Sequence, residues 1–274
     1  MKTILITNDQ LIAKDAQSAG VSRIMVDLEL IGKKERQASR TTFISNHQPQ
    51  DIEKIRAVLT DSQLIVRINS YNKNSGNEIE HAITAGADII MLPMITDIAQ
   101  LDKISDLIAG RAMLLPLVET AYSMAHITYI AAHPAVSEVY IGLNDLHLSL
   151  GLDYLFEPLS LGLLDWMADK IKATDKSFGF GGIATIGSGE LPAEFILAEH
   201  VRLNSTCIIL SSRFTKDINI YNQEGRVERI KEALLQMENK EIELLKREAE
   251  QVEEDRKRTA IIISKIAQAC IIVI

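Results

Sequence analysis

Eight short runs of β-branched and apolar residues, each followed by a longer stretch with helical spacing, constrain this chain more than any other feature. The runs are ILIT (4–7), RIMVDLE (23–29), QLIVRIN (63–69), DIIMLPMI (88–95), AMLLPLVE (112–119), EVYIGLND (138–145), FGFGGIA (178–184) and STCIILSSRF (205–214). Stretches at 9–19, 50–60, 76–86, 97–109, 121–133, 160–173 and 192–200 read as the intervening helices. Strands that are apolar at nearly every position are covered on both faces. Strand–helix alternation implies parallel pairing with right-handed crossovers. Eight such units in 274 residues match a closed (β/α)8 TIM barrel, the expected fold class, with a long C-terminal helical extension. The rival is an open doubly wound sheet, but its marker is missing. The glycine-rich stretch GFGGIATIGSG (179–189) is neither G-x-G-x-x-G nor a P-loop. It reads as turn chemistry at a strand end, with a phosphate cradle as the other option.

Residues 1–222 are expected to form the barrel, and 223–274 the extension. From Glu224 to about Thr259 both charge signs interleave, and Val227, Ile230, Leu234 and Met237 recur at helical spacing. Leu244, Leu245, Ala249 and Val252 continue the stripe, so the pattern predicts one long amphipathic helix that outruns the barrel. It either lies solvated along the barrel or packs on another subunit. The apolar tail 260–274 favours a homo-oligomer, because monomers rarely leave such a patch open. The net charge of −8 argues against a nucleic-acid surface. The N-terminal apolar run is too short for a signal peptide, and the tail, broken by Lys265 and Gln268, is too short to span a membrane. Two distant cysteines, Cys207 and Cys270, suit neither a disulfide framework nor a zinc site, so a cytoplasmic location is expected.

The C-terminal ends of barrel strands converge on one mouth. There the sequence puts Asp27 and Glu29, Arg67 and Asn69, Glu119, and Asn144 with Asp145. Carboxylates crowded in an apolar setting repel one another and call for a cation or protons. A divalent ion held by oxygen ligands meets that need, although any one of these acids alone could equally be a helix cap or a loop salt bridge. Arg67 is suited to anchor a small-molecule oxo-acid, since guanidinium grips a carboxylate through two parallel bonds. Together, metal and arginine would stabilise an enolate next to a 2-oxo acid.

LLPLVETA (114–121) and YIGLNDLHLSLG (140–151) resemble the signature segments of the HpcH/HpaI aldolase and citrate lyase β-subunit family. VDLE (26–29), LIVRIN (64–69) and AGADIIMLPMI (85–95) resemble it in the same order, so the likeness covers about residues 20–215. The resemblance implies a (β/α)8 barrel, a Mg2+ or Mn2+ ion, and a carbon–carbon lyase (aldolase) working through a metal-stabilised enolate. It implies Glu119 and Asp145 as metal ligands and Arg67 at the substrate carbonyl. It also implies that the backbone of Gly142, Leu143, Asn144 and Asp145 meets substrate, and that Asp27 and Glu29 form the acidic mouth.

One position departs from the pattern. Pyruvate aldolases of this family carry a histidine after the strand-2 glutamate, and the citrate-lyase-like branch an aspartate; here the residue is Leu30. His147, two residues beyond Asp145, and His47, after strand 2, are the candidate replacements for proton transfer, each with a loop-structuring or surface role as the alternative. Lys33, Lys34, Arg36 and Arg40 form a basic cluster that is either solvated or meets an anionic substrate tail such as a phosphate or CoA group. Besides the aldolase, two readings stay open: an acyl-CoA lyase or thioesterase, and a non-catalytic barrel with a structural or regulatory role.

Overall fold

The structure, a computed structural model, describes residues 1–33, 46–217 and 225–272. Eight strands close into an all-parallel barrel in sequence order: β1 (Lys2–Ile6), β2 (Arg23–Asp27), β3 (Gln63–Arg67), β4 (Ile89–Leu92), β5 (Met113–Val118), β6 (Glu138–Ile141), β7 (Ser177–Ile183) and β8 (Cys207–Leu210). β8 pairs back onto β1, so the barrel fold is as expected. Around it lie α1 (Gln10–Ser18), α2 (Asp51–Arg56), α3 (Ser75–Thr84), α4 (Ala99–Ile108), α5 (Ala121–Ala125), α6 (Ile127–Ala132), α7 (Leu143–Ser149), α8 (Glu157–Ser160), α9 (Leu163–Lys172), α10 (Ala193–Leu203) and α11 (Ser212–Asp217). No described helix is long and apolar enough to cross a membrane.

The two-residue strand period divides the apolar residues between two cores. Ile4, Met25, Ile65, Met91, Leu117 and Tyr140 fill the barrel interior. Their neighbours Leu5, Ile24, Val26, Leu64, Val66 and Ile90 pack outward against the helices. The same period carries polar side chains inward above and below this plug. Two residues beyond Met25, Ile65 and Leu117 come Asp27, Arg67 and Glu119, at the C-terminal mouth. Two residues before Met25 and Tyr140 come Arg23 and Glu138, at the opposite end. There Arg23, 1 % exposed, donates to Glu138 Oε2 at 2.8 Å and to Gln63 Oε1 at 3.1 Å.

Most strands are shorter than expected, and at two of them the difference moves residues onto a helix. β6 stops at Ile141, and Asn144 and Asp145 lie in the first turn of α7 rather than on the strand. β8 stops at Leu210, and the rest of that run turns into α11. The extension also differs from the single long helix expected. It is two helices, α12 (Arg226–Leu244) and α13 (Ala249–Ile272), and both fold back on the barrel. Ile230, Ala233, Met237 and Leu244 are the buried stripe of α12, and Ile263 and Ala267 that of α13. No glycine or proline marks the break. A tertiary contact makes it: Arg247 donates to the Leu244 carbonyl at 2.9 Å, the Ala198 carbonyl of α10 at 3.2 Å and Asp255 at 2.7 Å. Leu245, read as part of the stripe, is 66 % exposed.

Candidate active site

A cavity of about 590 Å3 opens at the C-terminal mouth of the barrel. Its walls include Asp27, His47, Arg67, Glu119, Asp145 and Lys33, drawn from β2, β3, the segments that follow β2 and β5, and the first turn of α7. Parallel register sets Asp27 beside Arg67. The guanidinium grips the carboxylate with two bonds, Nε to Oδ1 and Nη2 to Oδ2, both 2.7 Å. Lys33 donates to the same carboxylate at 2.8 Å. Burial alone would push the Asp27 carboxyl up, but Arg67 and Lys33 outweigh it and hold it well below the usual carboxylate range. Burial would likewise depress Arg67, yet Asp27, Glu29 and Glu119 hold its guanidinium charged more firmly than usual. Glu29 lies 3.7 Å from Arg67 and 3.6 Å from Lys33, close enough for charge attraction but beyond hydrogen-bond range.

Glu119 follows the last residue of β5 and is 2 % exposed. Its backbone N–H donates to Ser123 Oγ, which belongs to the Thr120–Ser123 capping box that starts α5. Its Oε1 accepts the Met94 N–H at 2.9 Å. Met94 adopts φ 52°, a left-handed conformation that a non-glycine residue takes at some cost, and it delivers that N–H to the carboxylate. Burial raises the Glu119 carboxyl well above its ordinary value, and the negative charges of Glu29 and Asp145 raise it further. Gly142 leaves the room Glu119 occupies: a Cβ there would stand 2.8 Å from Glu119 Oε2 and 3.0 Å from its Cβ.

The structure therefore brings Asp27, Arg67, Glu119, Gly142, Leu143, Asn144, Asp145 and His47 to one cavity wall, with Glu29 just behind. Asn69 is turned elsewhere, since its side-chain oxygen accepts the backbone N–H groups of Leu30 and Ile31 and so shapes the turn after β2. His147 does not line the cavity. Because Asp145 and His147 sit on a helix rather than a continuing strand, they do not share a face, and buried His147 faces the Leu143 carbonyl through Nδ1 at 3.1 Å. Lys33, read as part of a basic cluster that is either solvated or meets an anionic tail, is 4 % exposed and paired with Asp27; Lys34, Arg36 and Arg40 lie outside the described residues. The glycine-rich stretch also differs from a strand-end turn: Gly179, Gly181 and Gly182 lie within β7, and the last two line the cavity. Sequence reasoning missed the Met94 N–H and the contribution of Ser211, Ser212, Thr215 and Lys216, which also line the cavity.

Among the described residues, no three His, Cys, Asp or Glu side chains cluster closely enough to hold a metal by themselves. A strand-by-strand barrel with acidic and basic groups at this mouth matches one family model, that of HpcH/HpaI aldolase/citrate lyase, over residues 5–197. The chain belongs to the HpcH/HpaI aldolase/citrate lyase family. A curated relative, the (3S)-malyl-CoA thioesterase of Cereibacter sphaeroides strain ATCC 17023, is 34 % identical over 98 residues, which are 35 % of this chain and 34 % of that protein. The chain thus spans about a third of the length of the curated relatives it matches. Among solved structures, the HpcH/HpaI aldolase from Desulfitobacterium hafniense DCB-2 superposes with a TM-score of 0.61 at 15 % identity, over 84 % of this chain and 93 % of that one. The citrate lyase beta subunit from M. tuberculosis, solved with oxaloacetate and magnesium, gives 0.56 at 16 % identity, over 84 % and 95 %. At such identities the structural likeness is one of fold.

Proposed function

We propose that this chain is a divalent-metal-dependent carbon–carbon lyase of the aldolase type, which cleaves or forms a bond next to a 2-oxo acid through an enolate. One observation carries the reading. Buried Glu119 and Asp145 line the cavity beside the Arg67–Asp27 pair, and burial together with the charges of Glu29 and Asp145 raises the Glu119 carboxyl well above its ordinary value. Carboxylates that repel one another in a buried site are relieved by a cation as well as by a proton. Carboxylate oxygens brought together in this way fit a hard dication, Mg2+ or Mn2+, with Glu119 and Asp145 as its protein ligands. Two protein carboxylates leave the remaining positions to water and substrate. Bound there, the ion supplies a Lewis acid for the substrate carbonyl.

The protein's own groups do the rest. Asp27 clamps Arg67 through Nε and Nη2, so Nη1 has no partner among the described residues and is left for the cavity. A guanidinium fixed in this way donates to the oxygen that turns negative without reorganising. Gly142 is the N-cap of α7, and the first N–H groups of a helix lack intrahelical acceptors, so Leu143, Asn144 and Asp145 offer backbone donors to a substrate carboxylate.

The second reading is an acyl-CoA lyase or thioesterase, which the partial match to malyl-CoA thioesterases favours. The enolate chemistry is shared; the leaving group differs. Calorimetric titration with magnesium and oxalate, an enolate mimic, tests both readings. Tight binding by the native chain and its loss in Glu119→Gln are expected. Retro-aldol turnover in metal-free buffer, or failure to bind magnesium and oxalate, would overturn the metal mechanism. Displacement of oxalate by CoA esters would favour the second reading over the first.

A further inference from the structure

His47 is pinned to the end of β2, where the backbone N–H of Asp27 donates to its Nδ1 at 3.0 Å. A peptide N–H can only donate, so Nδ1 must hold a lone pair and the proton of the neutral ring must be on Nε2. The ring is 6 % exposed and lines the same cavity as Arg67 and Glu119. With Nδ1 turned to the backbone, Nε2 is the nitrogen left for the cavity that the ring lines, and among the described residues none is hydrogen-bonded to it.

We propose that His47 acts as a neutral N–H donor, presenting Nε2–H to the anionic oxygen of the bound substrate, and not as the proton-transfer base. The inference rests on the enolate reading above. A base would have to take a proton at Nε2, which needs the tautomer with its hydrogen on Nδ1. That tautomer would set two N–H groups head to head across 3.0 Å. Protonating the ring meets the same clash. Burial also lowers the readiness of His47 to protonate, only partly offset by Asp27 and Asp51. The device supplies positive potential at the substrate oxygen without adding a full charge beside Lys33 and Arg67. It also explains how a chain with Leu30 after the strand-2 glutamate can still keep an imidazole at this mouth.

Two substitutions separate the possible roles. Asparagine keeps an acceptor near Nδ1 but has nothing at Nε2, whereas glutamine can place an amide N–H near Nε2. Loss of one oxyanion donor lowers kcat by roughly 100-fold or more, so His47→Asn should lose about that much with KM little changed, while His47→Gln stays within about 10-fold of native. Equal loss in both variants would mark a base, and full activity in His47→Asn a purely structural residue; either overturns the proposal. The second readout is independent of turnover: 15N NMR of the histidine-labelled full chain, without and with magnesium and oxalate. Nδ1 should read as unprotonated, and the Nε2–H signal should move on oxalate binding. A protonated Nδ1, or an Nε2–H signal indifferent to bound oxalate, overturns the donor role. If native protein binds oxalate with that shift yet turns nothing over, the lyase reading fails and the donor role stands.

Discussion

Replacing Asp27 with asparagine removes the charge on which the mouth of the barrel is organised. The carboxylate is 1 % exposed and accepts three charge-assisted bonds, two from Arg67 at 2.7 Å and one from Lys33 at 2.8 Å. Asparagine keeps one acceptor oxygen and no charge, which leaves two cations buried with Glu29 as the nearest counter-charge, at 3.6 and 3.7 Å. Breaking a buried ion pair by deleting one partner costs about 3–5 kcal/mol, and residual attraction to Glu29 puts Asp27→Asn near the lower bound, about 3 kcal/mol. Against a typical total of about 5–15 kcal/mol, that is a large and measurable fraction. Urea unfolding at pH 7, followed by circular dichroism, should show the midpoint fall with little change in slope. The pH dependence has a definite sign. The folded carboxyl sits below its unfolded value, so its stabilisation is present above the unfolded pKa of about 3.9 and is lost as pH falls through the folded value. The gap between native and variant should therefore hold from pH 7 to pH 5 and narrow only in stronger acid. A loss under about 1 kcal/mol, the range of an exposed pair, would refute this account. So would a gap that widens on acidification.

Two more perturbations probe the barrel. Gly142→Ala should fold normally but displace Glu119, whose Oε2 lies 2.8 Å from the new Cβ position; calorimetry should show weaker magnesium binding and kinetics a loss of about 10- to 100-fold, and unchanged binding would refute the packing argument. His200, fully buried and stacked on Phe180 at 3.7 Å, has its pKa pushed down to about 3 by burial, so the unfolded chain takes up a proton that the fold refuses. Stability should then fall as pH drops below about 6.5, by up to about 1.4 kcal/mol per unit from this residue, and His200→Gln should flatten that slope; parallel slopes in the two proteins would contradict it.

How much was legible in the sequence can be judged residue by residue. Strand count, parallel order and the inward placing of Asp27, Arg67 and Glu119 were readable, because a two-residue period carries each of them inward from Met25, Ile65 and Leu117. His147 was misplaced because EVYIGLND reads as strand throughout, while Gly142 caps a new helix that rotates successive residues by about 100° rather than 180°. Lys33 was misread because a lysine near other basic residues looks solvated until its partners, Asp27 and Glu29, are seen in space. The Met94 N–H left no trace in composition, since left-handed φ at methionine is imposed by the surroundings.

Local chemistry alone thus determined the barrel, its rim of acids and the arginine at its mouth, since these follow from periodicities that each strand carries by itself. Only the closed structure decided which charges neutralise one another, which nitrogen of His47 faces the cavity, and where the C-terminal helix breaks. Those outcomes depend on groups far apart in the chain: Asp27 with Arg67, His47 with the β2 backbone, Arg247 with Ala198. Each is set by the energy of burying a polar group, and that energy has no value until the neighbours that share the burial are in place.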